Sequence, residues 1–289
     1  MIILITGSGT LVGNTISKFL AKKYKVIASF NKNRPINFEK DKNIKVVKID
    51  ITKKINMKKK FDALVHCASI VPEKGIKKHL FNKVNYLGFK KLLKLAKKNN
   101  CKKIVLLSTM SVYGKITKKK ITENESFNKP DAYGLSKIKM EKELKDYCIK
   151  NGAEAVIFRL PGLLGFKSQH NFLSNALSII KENKEITINN PNLKYNNIVH
   201  VRNLAEIVKQ SLEQKIKFKI YNLGCKNPMR FQNIFELMFE RLRIKKKIRI
   251  NKKNGGFSIN LNKNLKKNFS LYTTKQAVHR FISENINSI

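Results

Sequence analysis

The sequence of 289 residues contains no tryptophan and few acidic residues, with 19 Asp and Glu against 61 Lys and Arg. It has four cysteines, and no two of them form a C-x-x-C pair, which argues against a bound metal or a disulfide framework. No apolar run approaches the roughly 20 residues of a membrane span, and the apolar start reaches Gly7 too soon for a signal peptide. We therefore expect a folded, cytoplasmic protein with reduced thiols, no metal and no membrane span.

The shortage of acids leaves a formal net charge of +42, which raises the hypothesis of a nucleic-acid partner. Only eight of the cations are Arg, however, the residue preferred for binding phosphates and reading base edges. Lys, Asn and Ile are all abundant and share A/T-rich codons, so genome composition alone accounts for this profile. We predict a solvated basic surface and no nucleic-acid partner.

Short apolar runs alternate with amphipathic stretches through the first half of the chain. This alternation predicts parallel strands joined by crossover helices, which together form a doubly wound α/β nucleotide-binding sheet. The predicted strands are Ile2–Thr6, Lys25–Ser29, Lys45–Ile49, Ala63–His66, Ile104–Ser108 and Ala155–Leu160, and the predicted helices are Gly13–Lys22, Asn82–Lys98 and Tyr133–Asn151. We place a dinucleotide-binding domain at 1–165 and a smaller, mainly substrate-binding domain at 166–289, with segments near 196–224 returning to the first domain.

A glycine-rich turn joins the first predicted strand to the first predicted helix. Gly7 would allow the tight turn, Gly9 a close backbone approach to a pyrophosphate, and Gly13 close packing of the helix on the sheet. The helix N-terminus would present free N–H groups and its positive dipole end to the anion. The predicted cofactor-binding residues of this turn are Gly7, Ser8, Gly9, Thr10, Leu11, Val12 and Gly13.

The segment after the second predicted strand lacks the acid that an NAD-type site offers to the adenosine ribose. Lys32 and Arg34 would instead neutralise the 2′-phosphate of NADP, although both are also ordinary cations in a Lys-rich chain. We favour NADPH over NADH and include Asn31, Lys32 and Arg34 in the predicted cofactor site.

Thr109 ends a predicted strand, and Tyr133 and Lys137 follow at the start of a helix. Their i,i+4 spacing places the phenol and the ammonium on one helix face. Because a neighbouring ammonium favours the phenolate, we expect the pKa of Tyr133 to be lowered toward the working pH. A Y-x-x-x-K pair alone is a weak signal in so Lys-rich a chain, but its position after the glycine turn and Thr109 strengthens it.

With these motifs the chain resembles the extended short-chain dehydrogenase/reductase family, which contains nucleotide-sugar epimerases, dehydratases and reductases. The resemblance covers most of the chain and rests on segments in the family's order: Thr6–Gly13, Asp50–Ile51, His66–Ser69, Val84–Gly88, Ser108–Gly114, Tyr133–Lys137, Arg159–Gly162 and Asn197–Ala205. It implies a Rossmann fold. It also implies that Tyr133 is the general acid or base at the sugar carbon, that Lys137 binds the nicotinamide ribose, and that Thr109 hydrogen-bonds the same sugar oxygen.

The resemblance implies further ligands of the cofactor and the substrate. The additional cofactor contacts would be Asp50, Ile51, Cys67, Ala68, Ser69, Asn85, Ser108, Lys137 and Pro161. The substrate contacts would be Thr109, Met110, Ser111, Tyr133, His170 and Asn171. Two of these residues have equally good alternatives, since Asn85 would also serve as a helix-packing amide and His170 as a loop residue without a catalytic part.

The two residues after Thr109 reduce the number of reactions expected of this chain. Dehydratases of the family carry an Asp-Glu pair there, and its epimerase/reductases carry a Cys two residues after the hydroxyl residue. Met110 and Ser111 occupy these positions, so neither water elimination nor thiol-based epimerisation is expected.

The reaction left among those of the family is hydride transfer coupled to protonation. We favour an NADPH-dependent reductase of a nucleotide-linked 4-keto-6-deoxy sugar in surface polysaccharide biosynthesis. The alternatives are an NAD-dependent nucleotide-sugar 4-epimerase and a non-catalytic NADP-binding sensor or partner-binding protein. Members of the family often dimerise through helices such as Asn82–Lys98 and Tyr133–Asn151, so the resemblance implies a homodimer.

Overall fold

The computed structural model describes residues 1–168, 171–251 and 255–286. The chain divides into two compact units. The first unit consists of Met1–Lys115, Ser126–Arg159 and Leu204–Tyr221, and the second of Ile116–Glu125, Leu160–Asn203 and Asn222–Ile289. Each unit has a buried hydrophobic core of its own.

The described residues form short strands and helices in alternation. The strands are β1 Ile2–Thr6, β2 Lys25–Phe30, β3 Ile44–Lys48, β4 Ala63–His66, β5 Lys103–Thr109, β6 Lys120–Ile121, β7 Glu154–Leu160, β8 Gly162–Leu164, β9 Ile186–Asn189, β10 Lys194–Tyr195, β11 Ile198–His200, β12 Phe218–Asn222, β13 Met229–Arg230, β14 Ile248–Asn251 and β15 Ser258–Ile259. The helices are α1 Leu11–Ala21, α2 Lys78–Leu80, α3 Gly88–Lys98, α4 Ala132–Asn151, α5 Phe172–Lys181, α6 Val201–Glu213, α7 Phe231–Leu242, α8 Lys263–Asn268 and α9 Thr274–Asn285. A π-helical segment, Phe81–Leu87, lies between α2 and α3, and a 3₁₀ turn, Met110–Tyr113, follows β5.

Seven strands of the first unit form one sheet in the order β12-β7-β5-β4-β1-β2-β3. Strand β1 lies inside the sheet and pairs in parallel with β2 on one side and with β4 on the other. Because both faces of such a sheet are covered, β1, β4 and β5 are almost continuous runs of Ile, Leu and Val. The predicted doubly wound parallel sheet is confirmed, and the fold is Rossmann-like.

Two layers of helices cover this sheet. Phe89 and Leu92 of α3 and Met140 and Leu144 of α4 are buried in one apolar cluster with residues of β4, β5 and β7. Ile16 of α1 is also fully buried. Parallel strands end at the same edge of the sheet, so the segments that follow β1, β4 and β5 converge there.

The boundaries of several elements differ from the sequence-based expectation. Helix α1 begins at Leu11 rather than Gly13, because the Thr10 hydroxyl caps it by accepting a hydrogen bond from the Gly13 N–H at 3.2 Å. The first six residues of the predicted helix Asn82–Lys98 belong to the π-helical segment, in which Asn85 is fully buried, and α3 forms the remainder. Helix α6 starts at Val201, directly after β11.

The second unit contains small strand pairs rather than one continuous sheet. Strands β8 and β11, β9 and β14, and β6 and β15 pair in parallel, whereas β10 and β13 are antiparallel. Helices α5, α7 and α9 bury their apolar faces in a common core. Strands of two to four residues leave little periodicity, which explains the loose sequence pattern of this region.

All four cysteines are free. No helix among the described residues is both long and apolar enough to cross a membrane.

Candidate cofactor and catalytic site

The glycine-rich turn lies at the carboxyl end of β1. Gly7 has a φ of +73°, and a Cβ added there would lie 2.8 Å from the backbone of Ala68, so this position requires glycine. The Thr10 N–H donates to the Gly7 carbonyl at 3.0 Å and closes the turn. No acidic side chain lies in the first turn of α1, so its positive dipole end is not neutralised.

Three backbone donors of this turn are available for an anion. The N–H groups of Gly9, Leu11 and Val12 have no hydrogen-bond partner among the described residues. The Ser8 N–H, in contrast, donates to the Ser29 carbonyl at 2.8 Å. Free N–H groups at a helix N-terminus fit the diphosphate of a dinucleotide cofactor.

Gly9 is required for a reason that the sequence did not reveal. A Cβ on Gly9 would lie only 1.8 Å from the Asn33 carbonyl oxygen. The loop after β2 is therefore packed directly against the turn, and the backbone of Asn33 fills the space of a side chain at position 9. Gly13 likewise faces the Gly7 carbonyl, at 2.2 Å from an added Cβ, rather than the sheet.

The other residues of the loop after β2 are exposed. Asn31, Lys32 and Arg34 are all solvent-accessible, and Arg34 makes only a loose ion pair with Glu39 at 3.8 Å. An exposed pair of this kind contributes little to stability, so the guanidinium stays available to an anionic ligand.

A chain of hydrogen bonds joins the ends of β1 and β4. The Ala68 N–H donates to Thr6 Oγ1 at 3.2 Å, and this hydroxyl lies 2.7 Å from His66 Nδ1. Burial, together with the charge of Lys137, lowers the pKa of His66 to about 3, so the imidazole is neutral. This chain holds Ala68 beside Gly7, in the predicted cofactor cleft.

Tyr133 lies at the start of α4, where the helix is packed against the turn after β5. A Cβ on the neighbouring Gly134 would lie 2.3 Å from the Ser111 carbonyl oxygen, so no larger residue fits there. The hydroxyls of Thr109 and Ser69 interact with the Tyr133 phenol, and both lower its pKa. Thr109 also hydrogen-bonds both the N–H and the hydroxyl of Ser111 at 3.2 Å.

Lys137 is almost completely buried one turn further along α4. Its Nζ donates to the Leu107 carbonyl at 3.1 Å and lies 5.8 Å from the centre of the Tyr133 ring. Burial lowers the pKa of Lys137 to about 8, although Cys67 and Glu141 oppose this shift. The spacing of the phenol and the ammonium on one helix face is as expected.

The expected lowering of the Tyr133 pKa was wrong for the protein without ligands. Burial raises the pKa of Tyr133 and outweighs the two hydroxyls. Desolvation disfavours the phenolate more than these neighbours favour it, and Lys137 is not among the groups that shift the phenol. Tyr133 is therefore a protonated phenol at neutral pH.

Asn85 is fully buried and binds protein groups with its whole side chain. Its Oδ1 accepts from the Ile70 N–H at 2.9 Å, and its Nδ2 donates to the Ile70 carbonyl and to Ser136 Oγ. Of the two alternatives for this residue, the structure matches the packing amide, which fixes the segment after Ser69 to α4.

Asp50 and Ile51 follow β3, as expected, but their side chains contact other protein groups. The Asp50 carboxylate accepts from the N–H and the hydroxyl of Thr52, and these bonds lower the pKa of Asp50. Ile51 is buried against α3, with its side chain 2.8 Å from the position of a Cβ on Gly88. Contacts from these residues to an adenine would therefore involve the backbone or the carboxylate edge.

Three other predicted positions are occupied by neutral groups. Met110 is buried, and Ser111 is engaged with Thr109. Burial raises the pKa of the Cys67 thiol to about 12, so it is not ionised at neutral pH. Tyr133 is thus the titratable group that interacts directly with the Thr109 hydroxyl among the described residues.

Ser108 is part of a buried network that the sequence analysis missed. Its hydroxyl donates to Glu141 Oε1 at 2.5 Å, and Arg159 binds both carboxylate oxygens of Glu141. The guanidinium also donates to the Tyr113 hydroxyl at 2.6 Å. One signal in the sequence was available, since Arg159 is an arginine inside an apolar strand of a chain whose cations are mostly lysine.

Pro161 and Asn171 belong to the second unit, and His170 lies outside the described residues. Asn171 caps α5 by accepting from the Ser174 N–H at 2.9 Å, and its Nδ2 donates to the Leu163 carbonyl at 2.9 Å. Among the described residues, no group of three His, Cys, Asp or Glu side chains is placed to hold a metal ion.

The second unit also contains a cavity of about 440 Å³ with an aromatic lining. The rings of Phe172 and Phe231 are stacked with centres 5.1 Å apart, and Tyr195 lies against Phe231 at 4.9 Å. Asn197 lines the same cavity, and its buried Oδ1 has no hydrogen-bond partner among the described residues.

The parallel sheet, the glycine turn and the free N–H groups define a dinucleotide-binding α/β enzyme. The chain belongs to the NAD dependent epimerase/dehydratase family, whose model matches residues 3–224. It is thus an NAD(P)-dependent enzyme of the extended short-chain dehydrogenase/reductase type, as the motifs predicted.

Individual members of such families are similar to this chain in sequence or in structure. A putative UDP-glucose 4-epimerase of Methanocaldococcus jannaschii is 24% identical over 250 residues, which cover 82% of this chain and 81% of the relative. The structure of a UDP-N-acetylglucosamine 4-epimerase from Methanobrevibacter ruminantium M1 matches with a TM-score of 0.83 at 20% identity, covering 99% of this chain and 98% of the other. The structure of a UDP-glucuronic acid 4-epimerase from Bacillus cereus in complex with NAD matches with a TM-score of 0.82 at 17% identity. The match covers 99% of this chain and 96% of the other. At these identities the structural matches establish a shared fold.

Proposed function

We propose that this chain transfers hydride at C4 of a nucleotide-linked sugar and acts as a nucleotide-sugar 4-epimerase. The observation that carries the proposal is that Tyr133 on α4 is the acid-base group that interacts with Thr109 among the described residues, since Met110 and Ser111, which follow Thr109, add none. A single acid-base group suits the removal and return of one proton at one hydroxyl, whereas elimination of water needs a second. The 4-epimerases among the compared proteins support the same reaction.

In this mechanism the Tyr133 phenol first loses its proton to solvent, and the resulting phenolate takes the proton from the O4 hydroxyl and later returns it. Thr109 orients O4, and Lys137 holds the nicotinamide ribose. A nicotinamide bound there would supply the hydride acceptor for C4, and the positive charge of its oxidised ring would favour the Tyr133 phenolate. The Ser69 and Thr109 hydroxyls favour the phenolate and reduce the cost of deprotonating a buried phenol.

The aromatic cavity of the second unit supports a nucleotide as the carrier of the sugar. Stacked Phe172 and Phe231 offer an apolar face to a planar base, and Asn197 Oδ1 offers a buried acceptor to a base N–H. We expect Asn197→Leu to weaken nucleoside diphosphate binding about tenfold, since hydrogen bonds of this kind contribute about 1 kcal/mol or more. Calorimetric titration of the diphosphate measures this, and unchanged affinity would place the base elsewhere.

An NADPH-dependent 4-ketoreductase is the second candidate. Two observations favour it: Tyr133 is held as a phenol, ready to protonate a ketone oxygen, and exposed Lys32 and Arg34 follow β2 where no acid is present. Either activity would act in the cytoplasm in surface polysaccharide biosynthesis. The predicted homodimer through α3 and α4 is part of the same proposal.

One experiment tests the function and separates the candidates. The protein is incubated with nucleotide-linked sugars and their 4-keto forms, sugars are separated by chromatography, and NADPH is followed by absorbance. Interconversion of two sugars without net cofactor oxidation supports the epimerase, and stoichiometric NADPH consumption supports the reductase.

Replacement of the phenol shows whether Tyr133 carries the reaction. We expect Tyr133→Phe to lower kcat by a factor of about 10²–10⁴, the usual contribution of general acid-base catalysis, with nearly unchanged cofactor binding. Tyr147→Phe removes a phenol hydroxyl from the same helix and serves as the control. Full activity of Tyr133→Phe would refute the assignment.

A further inference from the structure

The buried network around Glu141 connects the two halves of the proposed catalytic site. Ser108 directly precedes Thr109, and Tyr113 ends the 3₁₀ turn that begins after it. Glu141 and Arg159 lie between these two residues and make hydrogen bonds of 2.5 to 3.3 Å. The Glu141 carboxylate is therefore connected to Ser108 directly and to Tyr113 through Arg159. These two residues lie on either side of Thr109 in the chain.

The same carboxylate faces the ammonium of Lys137. Glu141 lies one helical turn beyond Lys137 on α4, and its charge raises the pKa of Lys137 against the effect of burial. The other groups around Lys137 are the neutral imidazole of His66 and the Cys67 thiol from the end of β4, the Leu107 carbonyl of β5 and the Tyr133 ring. Glu141 is the one carboxylate that acts on Lys137 among the described residues.

The network holds α4 in one position along its axis. Arg159 binds both carboxylate oxygens through Nε and Nη2, a fork geometry that fixes direction as well as distance. Tyr133, Lys137 and Glu141 follow at intervals of four residues, so all three lie on the face of α4 turned toward the unit's interior. A shift of Glu141 would move the phenol and the ammonium with it.

We propose that Glu141 is a positioning residue, whose carboxylate holds Thr109 in register with Tyr133 and supplies the counter-charge of the Lys137 ammonium. The proposal rests on the function proposed above, because it assigns Glu141 to the geometry of that reaction. Glu141 acts through Lys137 and Thr109 and does not itself touch the substrate.

The test compares Glu141→Gln with Glu143→Gln, which removes an acid from the same helix two residues away. Glu143 interacts with Tyr86 and Lys90 and takes no part in the network. For each protein, kcat and the dissociation constant of NAD are measured from pH 6 to 10. The charge of Glu141 raises the pKa of Lys137, so Glu141→Gln should lose cofactor affinity and turnover at a lower pH than wild type, by about one unit if the effect is typical of an opposite charge nearby.

The controls separate positioning from folding. Because Glu141→Gln removes the carboxylate that neutralises the buried Arg159 guanidinium, the double variant Glu141→Leu, Arg159→Met removes both charges and keeps an apolar fill. It should fold and still show the shifted midpoint. Ser108→Ala keeps the ion pair, so it should lower kcat without moving the midpoint.

An unmoved midpoint in Glu141→Gln and in the double variant would overturn the proposal, and so would a shift of equal size in Glu143→Gln. The NAD titration needs no sugar substrate. If no sugar is turned over by the wild-type protein, the proposed function fails, while the titration still shows whether Glu141 supports Lys137.

Discussion

Replacement of Gly9 by alanine tests whether the glycine turn is shaped by the loop after β2. In the structure a Cβ at this position would lie 1.8 Å from the Asn33 carbonyl oxygen and 2.8 Å from its carbonyl carbon. Non-bonded Cβ contacts below 3.0 Å essentially do not occur, so the two backbones must separate by at least 3.0 − 1.8 = 1.2 Å. The clashing group is a backbone atom and cannot rotate away as a side chain could.

The expected cost follows from this displacement. Overpacking in a closely packed region costs about 1–3 kcal/mol, and a rigid backbone neighbour places Gly9→Ala at the upper end. A loss of that size lowers the melting temperature by about 2–4 °C per kcal/mol for a chain of roughly this length. The movement also shifts the N–H groups of Leu11 and Val12 or the neighbours of Asn33, so cofactor affinity should fall at least about tenfold.

Thermal unfolding and cofactor titration measure the two effects. Gly162→Ala is the matched control, because the nearest atom to a Cβ there is the Asn197 carbonyl oxygen at an ordinary 3.4 Å. We expect the control to keep its melting temperature within about 2 °C. If Gly9→Ala matched the control in both measurements, the close approach of Asn33 would not exist in solution and the reasoning would fail.

Two further predictions concern charge. Lys137 has a folded pKa of about 8 against 10.5 when unfolded, so the unfolded chain binds more protons between these pH values and stability rises with pH there. Lys137→Met removes a burial cost of up to about 3 kcal/mol at pH 7, so the variant should be inactive yet more resistant to urea than wild type. This difference in stability should shrink toward pH 10.5. A variant less stable than wild type at pH 7 would contradict the prediction. Alanine at both Lys32 and Arg34 should raise the dissociation constant of NADPH about tenfold and leave that of NADH nearly unchanged, as measured by fluorescence titration. An equal effect on both cofactors would exclude a 2′-phosphate contact.

The fold could be predicted from the sequence because its signals are local. Apolar runs of four to seven residues, such as Ala63–His66, mark strands covered on both faces, and each lies between helices of the length that a crossover needs. The glycine turn was also recognisable, since Gly7 adopts a φ that other residues avoid. The π-helical segment was not, and its buried Asn85 accepts a hydrogen bond from the Ile70 N–H, a partner 15 residues away in the chain.

The structure confirms the predicted spacing of Tyr133 and Lys137, whereas the electrostatics of the candidate site could not be predicted from the sequence. Tyr133 and Lys137 could be paired from their spacing alone. The sign of the Tyr133 pKa shift depends on burial, which outweighs the polar neighbours and has no local sequence signal. The contacts of Ser108 and Ile51 with other residues of this protein could not be predicted for the same reason.

The sequence by itself determined the order of strands and helices, the glycine turn and the one face of α4 that carries phenol and ammonium, because each depends on residues close together in the chain. The tertiary structure alone decided that Asn33 excludes a side chain at Gly9, and that Glu141 meets Arg159. It also decided that burial raises the pKa of Tyr133. These features arise where segments far apart in sequence exclude water together, and the free energy of a charge or a contact is set by that shared environment.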